Sequence, residues 1–451
     1  MMKVLLLVVF GLLMHAAREF APASGTFSSP AATTLAAGYL LLTAFLTGSL
    51  FKRFGLPKLT GYLAAGIVVG PQVLGLLDGG MVLNLRIFNG VAVALIALTA
   101  GTEMHMPTMR PLFRSIAWIT LFAVLGTTVL LSLVVYLARP LMPFMADLAA
   151  GQAIALALVL GVTMVAQSPS VVVALRDETD ADGPLIRTVM GVVVLADLVV
   201  ILMFAVVSSL AQGAFGAQTD ILATAGKLSW ELFGSMGAGV VVGLFIAAYL
   251  RRVKTSGALF VVAVAFVVAE VGARMHLDPL IVALAAGILI RNFTDLGERL
   301  HHEIEQASLP VYVAFFGVAG ATIHLDVLAT VGPAAALFVV TRAVGFQIGN
   351  RMAARRSGAP DVVRRFGGSG LMPQAGLALA LALLFTKTFP QFGEPAAALV
   401  FGVVALNELI APVLFRISLV KSGEAGKRTA AARPDVAAAP VAPASPDPAP
   451  G

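Results

Sequence analysis

The sequence predicts an all-α polytopic membrane protein of about thirteen transmembrane helices, built as two inverted six-helix repeats with crossed broken helices. Three observations carry this. The chain is 59% hydrophobic and only 12% charged over 451 residues, too little charge for a soluble surface. Its apolar residues fall in repeated runs of about 20, the length that crosses a bilayer as a helix. Short motifs of the first half return, in order, in the second.

The N-terminal stretch MMKVLLLVVFGLLMHAAREFAPASG has a lysine, a short apolar run and then small residues. Residues 1–30 therefore read as a secretory signal or N-terminal segment, with an extra helix as the alternative. Spans are expected at 31–51, 58–78, 88–105, 113–138, 149–175, 184–210, 229–250, 257–275, 278–291, 307–325, 327–350, 366–386 and 393–419. Residues 420–451, rich in Ala and Pro, are expected to form a disordered tail.

Charge orients the spans. Lys52, Arg53 and Lys58, then Arg110 and Arg114, Arg176 and Arg187, Arg251, Arg252 and Lys254, Arg291 and Arg299, and five arginines between Arg351 and Arg365 occupy alternate loops. The intervening loops carry at most one basic residue each. This places the N-terminus outside and the C-terminus in the cytoplasm of a multi-pass inner (plasma) membrane protein. The net charge of +6 is a positive-inside signature, not a nucleic-acid footprint. With no cysteine and no metal-binding spacing among six histidines, thiolate and histidine metal sites are excluded, and no cofactor is expected.

The repeat is read from four motif pairs. LAAGI occurs at 63–67 and 284–288; AGTEMH at 100–105 faces AGATIH at 319–324; MVAQSPSVVVAL at 164–175 resembles LMPQAGLALAL at 371–381; GVVVLADL at 191–198 faces GVVALNEL at 402–409. The offsets are similar throughout. Repeat one then spans 31–210, a linker helix 229–250, and repeat two 257–419. An odd linker inverts the second repeat, the build of many secondary transporters.

Two spans are interrupted at corresponding places, by Gln167-Ser168-Pro169-Ser170 and by Pro373-Gln374-Ala375-Gly376. Proline removes a backbone donor, and carbonyls freed at membrane depth persist where they line a cavity or packed protein. A single interruption is often a simple kink. A matched pair points to half-helix ends presented to an ion.

Asp197 lies near the middle of GVVVLADLVVILMF, residues 191–204. A carboxylate at that depth costs roughly 3 kcal/mol or more and is tolerated if protonated, paired or ion-bound. A carboxylate removed from water holds its proton more readily, so one oxygen site can hold either H⁺ or a metal cation near neutral pH. That competition is the minimum chemistry of an antiporter. The alternative is a protonated side chain that only bonds a neighbouring helix.

LPKLTGYLAAGIVVGPQVLGL, ALTAGTEMHM, LDPLIVALAAGILIRN and VYVAFFGVAGATIHLD resemble the monovalent cation–proton antiporter (sodium/hydrogen exchanger) superfamily, most of all its second bacterial branch. The resemblance runs through about residues 31–419. It implies a dimerisation domain, a six-helix core, a homodimer, and elevator-like exchange of Na⁺, Li⁺ or K⁺ for H⁺. The family's ion carboxylate falls on Asp197, and its first break, often Thr-Asp-Pro, on Gln167, Ser168 and Pro169. The chain departs at Ala196, where many relatives have a polar or acidic residue, and in having no lysine inside any span. One titrating carboxylate without a core lysine suggests electroneutral 1:1 exchange.

The expected site is Asp197 as ion or proton ligand (the metal being Na⁺ or K⁺), with Ser168, Ser170, Gln167 and unwound carbonyls completing the shell. Pro169, Pro373, Gln374 and Gly376 mark the breaks. Arg342 resembles an arginine of some relatives and is expected to pair with a core carboxylate. Glu408, the repeat counterpart of Asp197, is a second titrating site or a partner to an arginine. Glu103 reads as a helix-end anchor or an ion ligand, and Glu270, deep in its span, as an i,i+4 partner of Arg274. No enzymatic chemistry is expected. The alternatives on the same fold are a cation channel and a non-transporting membrane sensor.

Overall fold

The computed structural model describes residues 2–19, 30–85, 87–216, 226, 229–253, 257–275, 277–323, 325–374 and 376–428. Those residues contain helices and turns only. The expected tail at 429–451 and the end of the N-terminal segment at 20–29 lie outside them.

Each expected span falls on helix. Eight helices among the described residues are long and apolar enough to cross a bilayer; a pair bent by 54°, Gly297–Ala307 and Leu309–Ala321, makes a ninth if it is one span. Shorter apolar helices, Lys58–Val69, Gly257–Gly272, Pro279–Phe293 and Gly376–Thr388, cover the other runs.

The principal helices are α1 Met2–Glu19, α2 Pro30–Arg53, α3 Lys58–Val69, α4 Ile87–Glu103, α5 Met106–Leu137, α6 Ala150–Val165, α7 Pro169–Thr179 and α8 Pro184–Ala214. They continue with α9 Trp230–Arg252, α10 Gly257–Met275, α11 Pro279–Phe293, α12 Gly297–Ala321, α13 Leu325–Ser357, α14 Asp361–Gly370, α15 Gly376–Thr388 and α16 Gly393–Lys421.

Two expected boundaries change. The span expected at 58–78 ends as helix at Val69, because Pro71 offers no N–H to continue it. The chain turns instead, with Leu74 N–H and Leu77 N–H donating to the Val68 and Val69 carbonyls at 3.0 and 2.9 Å. Residues 420–428, expected to open the disordered tail, are helix and turn. Residues 422–428 pack back on the bundle, and the buried Glu424 carboxylate accepts from Leu185 N–H and Ile186 N–H at 2.7 and 2.9 Å. An acidic side chain on the first turn of α8 suits the positive end of its dipole. Gly183 leaves the room: a Cβ there would lie 2.4 Å from Glu424 Cδ.

The helices sort into two packed groups. In one, α4 packs on α10, α11 and α12, α3 on α2 and α12, and α9 on α11. In the other, α6 packs on α5 and α8, α13 on α5, α14 and α16, and α15 on α16. Little hydrophobic force acts between helices in lipid, so close approach depends on small residues. The repeated motifs supply them. A Cβ on Gly66 of the first LAAGI would lie 2.0 Å from Gly317 O on α12, and one on Gly320 would lie 2.1 Å from Leu63 O. Gly287 of the second LAAGI meets Leu98 O of α4 at 2.6 Å, and Gly101 meets Leu284 O at 2.5 Å. LAAGI of each half thus crosses the AG-containing motif of the other, and the sequence repeat becomes two equivalent helix crossings.

α1 packs on α2, burying Met14 in one cluster with Tyr39 and Leu40.

Candidate functional site

The first interruption separates α6 from α7. Backbone turns extended at Ala166 (φ −49°, ψ 143°) and Ser168 (φ −133°, ψ 102°). Pro169 then opens α7 at a position where its missing N–H costs nothing, and Ser168 Oγ accepts from Val171 N–H at 3.3 Å. The second interruption runs from Leu371 through Gln374, between α14 and α15. Ala375 lies outside the described residues.

Arg342, fully buried on α13, joins the two interruptions. Its Nε donates to Met164 O, its Nη2 to Ala166 O and its Nη1 to Met372 O, each at 2.6 Å. Gln374 Nε2 adds a bond to Met164 O at 2.8 Å, and Asn407 Nδ2 donates to Gln374 Oε1 at 2.9 Å. The expectation that Arg342 pairs with a carboxylate is therefore corrected: among the described residues its partners are carbonyls. Three carbonyls with dipoles converging on one guanidinium replace a counter-ion.

On the other side of the first interruption lies a cavity of about 390 Å³ between the two helix groups. Asp197, from the middle of α8, lines it together with Gln167, Ser168, Pro169, Ser170 and Gly376. Asp197 is 3% exposed and Gln167 1%. Among the described residues, no protein group bonds either Asp197 oxygen or either atom of the Gln167 amide end. A buried carboxylate without a protein partner carries a large desolvation cost, which a proton or a cation relieves. The N-termini of α7 and α15 stand at the same cavity, with their positive dipole ends beside the acid. Carboxylate, amide and hydroxyl oxygens are the donors that hard alkali cations take.

Other expected residues lie elsewhere. Pro373 and Gln374 belong to the second interruption and not to the cavity lining. Glu408 is buried on α16 and also lies outside that lining. Glu103 forms an ion pair with Arg176 of α7 and stands 3.3 Å from His301 Nε2, an anchor at the end of the bundle that carries the basic loops. Glu270 pairs with Arg274 at 2.6 Å. It is exposed and about one turn from the end of α10, not deep in a span.

Sequence reasoning missed two cavity carboxylates, Asp278 and Glu231. Asp278 stands immediately before Pro279, in LDPL. Its N-cap signature, Asp followed by Pro, was legible; that α11 aims this end at Asp197 was not.

Residues 41–421 match the sodium/hydrogen exchanger transmembrane family. The chain belongs to this family. It is 24% identical over 404 residues to the Na⁺/H⁺-K⁺ antiporter GerN of Bacillus cereus, an alignment covering 86% of this chain and 96% of GerN. It is 26% identical over 289 residues to the probable Na⁺/H⁺ antiporter GerT of the same organism, covering 62% and 70%. The fold is similar to that of the sodium proton antiporter MjNhaP1 of Methanocaldococcus jannaschii, with a TM-score of 0.64 at 14% identity, covering 86% of this chain and 98% of the other. These relatives are membrane transporters, not enzymes, and the family exchanger is likewise a multi-pass membrane protein.

Proposed function

We propose that this protein exchanges a monovalent cation, Na⁺, Li⁺ or K⁺, for H⁺ across the inner membrane. Asp197 binds the two in alternation, and Gln167, Ser168 and Ser170 supply neutral oxygens to the cation. The observation that carries the reading is the Asp197 carboxylate, buried on a cavity wall with no protein partner among the described residues. The names of the exchanger relatives support the same chemistry.

The rest of the cycle follows from the architecture. Asp197 and both interruptions sit on one helix group, while α4, α9 and α11 on the other close the cavity across from them. Sliding one group past the other carries the site from one face to the other, an elevator-like motion on inverted repeats. A single exchanging carboxylate gives one cation per proton, hence electroneutral transport. The topology is N-terminus outside and C-terminus cytoplasmic, and the assembly is a homodimer.

The test is exchange in proteoliposomes with Na⁺, Li⁺ and K⁺ in turn, with and without a clamped voltage. Cation-driven proton movement that ignores the clamp is expected. Cation flux indifferent to the proton gradient contradicts exchange, and a current that reverses with the coupled gradients contradicts electroneutrality.

A further inference from the structure

Asp197 does not face the cavity alone. Across from it, Asp278 stands at the N-terminus of α11 and lines the same space. The two carboxylates share this one space of about 390 Å³, in which like charges repel. Asp278 is held in place: its Oδ1 accepts from Leu280 N–H at 2.8 Å, and its own N–H donates to Ser235 Oγ at 2.8 Å. Its carboxylate bonds a backbone amide, and it forms no ion pair among the described residues. The wall opposite carries Asp197 and Gln167, polar side chains at least nine-tenths buried and without protein partners among the described residues.

The two acids belong to different helix groups, Asp197 to α8 and Asp278 to α11. At the far end the groups touch: α7 packs on α4 and α16 on α3, Glu103 pairs with Arg176, and Lys58 N–H donates to Glu178 Oε1 at 2.7 Å. Asp278 lies at the opposite end of its helix from Arg291 and the basic loops, so it guards one mouth of the site.

We infer that Asp278 is a second, side-specific cation-attracting carboxylate of the transport site, loading a monovalent cation onto Asp197 from the mouth where α11 begins. This rests on the exchange reading above. When the groups slide, Asp197 leaves the field of Asp278, so the attraction acts in one orientation only. It raises cation affinity on that face, the outer one in the topology given above, and leaves the other face unchanged.

The titratable groups lining the cavity are Asp197, Asp278 and Glu231. A negative charge at the mouth attracts a proton and a monovalent cation equally. Where protons already occupy the site the two effects cancel; where they do not, only the gain in cation affinity remains. The effect of Asp278 is therefore largest at alkaline pH and fades at acid pH.

The experiment compares wild type, Asp278→Asn and Asp278→Glu in right-side-out and inverted vesicles at constant ionic strength, with Na⁺ as probe and K⁺ in its place if Na⁺ is not carried. Asparagine caps a helix as well as aspartate does, so the neutral variant keeps α11 while losing the charge. The KM of Asp278→Asn from the α11-mouth side should rise roughly threefold to tenfold at alkaline pH, as for a partly screened neighbouring charge, with the maximal rate within about twofold. It should converge on wild type at acid pH, stay unchanged from the other side, and recover in Asp278→Glu. A KM unaltered on the α11-mouth side, or raised equally on both sides, overturns the inference. Wild-type vesicles with no cation-driven proton movement sink the exchange reading itself, and the inference with it.

Discussion

Arg342 offers the sharpest test of how the paired interruptions are held. Its guanidinium serves three buried carbonyls at 2.6 Å, Met164 and Ala166 from the first interruption and Met372 from the second. Replacing it with alanine strands the Ala166 and Met372 carbonyls, while Met164 O keeps its bond from Gln374 Nε2. An orphaned buried acceptor costs about 1–3 kcal/mol, so the gross loss is roughly 2–6 kcal/mol. Relief from burying the charge offsets part of it, leaving about 2 kcal/mol. The stacking of the guanidinium on Phe346, at 4.9 Å, is lost as well. In a thermal unfolding assay of the purified protein in detergent, Arg342→Ala should lower the midpoint by about 5 °C or more. Arg342→Lys keeps the charge without the fork that reaches carbonyls of both segments and should fall between. An alanine variant that unfolds within a degree or two of wild type and still exchanges cations would refute the assignment of Arg342 as the pin between the interruptions.

Two further substitutions separate packing from chemistry. Gly66→Ala should destabilise the fold by about 1–3 kcal/mol, because its Cβ would meet Gly317 O at 2.0 Å, whereas Gly38→Ala, with nothing within 4 Å of the new atom, should not; thermal midpoints decide. Gln167→Leu should leave stability equal or higher, since the buried amide it removes has no protein partner among the described residues, while raising the KM for the transported cation by roughly threefold or more in vesicle exchange. A stability loss with unchanged KM would place Gln167 in the scaffold instead.

Much of this was legible because lipid imposes strong constraints. Long apolar runs must be helix, and the glycines of LAAGI and of AGTE and AGAT mark crossings where a Cβ would strike a backbone carbonyl. Asp197 could be singled out because an acid among valines needs a reason. Four features were not legible. Hydropathy carried the run from Lys58 past Val69, where Pro71 turns the backbone. Arg342 reads as a counter-charge in sequence, and only the fold shows that its counterparts are carbonyl dipoles. Asp278 reads as an ordinary helix cap, because the pattern around it fixes its local bond to Leu280 but not its cavity. The Glu424 cap on α8 joins residues far apart in sequence, inside a segment whose composition continues into the Ala/Pro-rich end.

The account stands on the Asp197 carboxylate as the group that trades a proton for a cation. The most direct measurement is cation-driven proton movement in proteoliposomes made with Asp197→Asn, matched for amount and thermal midpoint to wild type. Asparagine fills the same space but neither ionises nor carries the exchanged proton, so the signal should drop to that of empty vesicles. A variant that folds normally and still moves protons in response to Na⁺, Li⁺ or K⁺ would contradict the central claim.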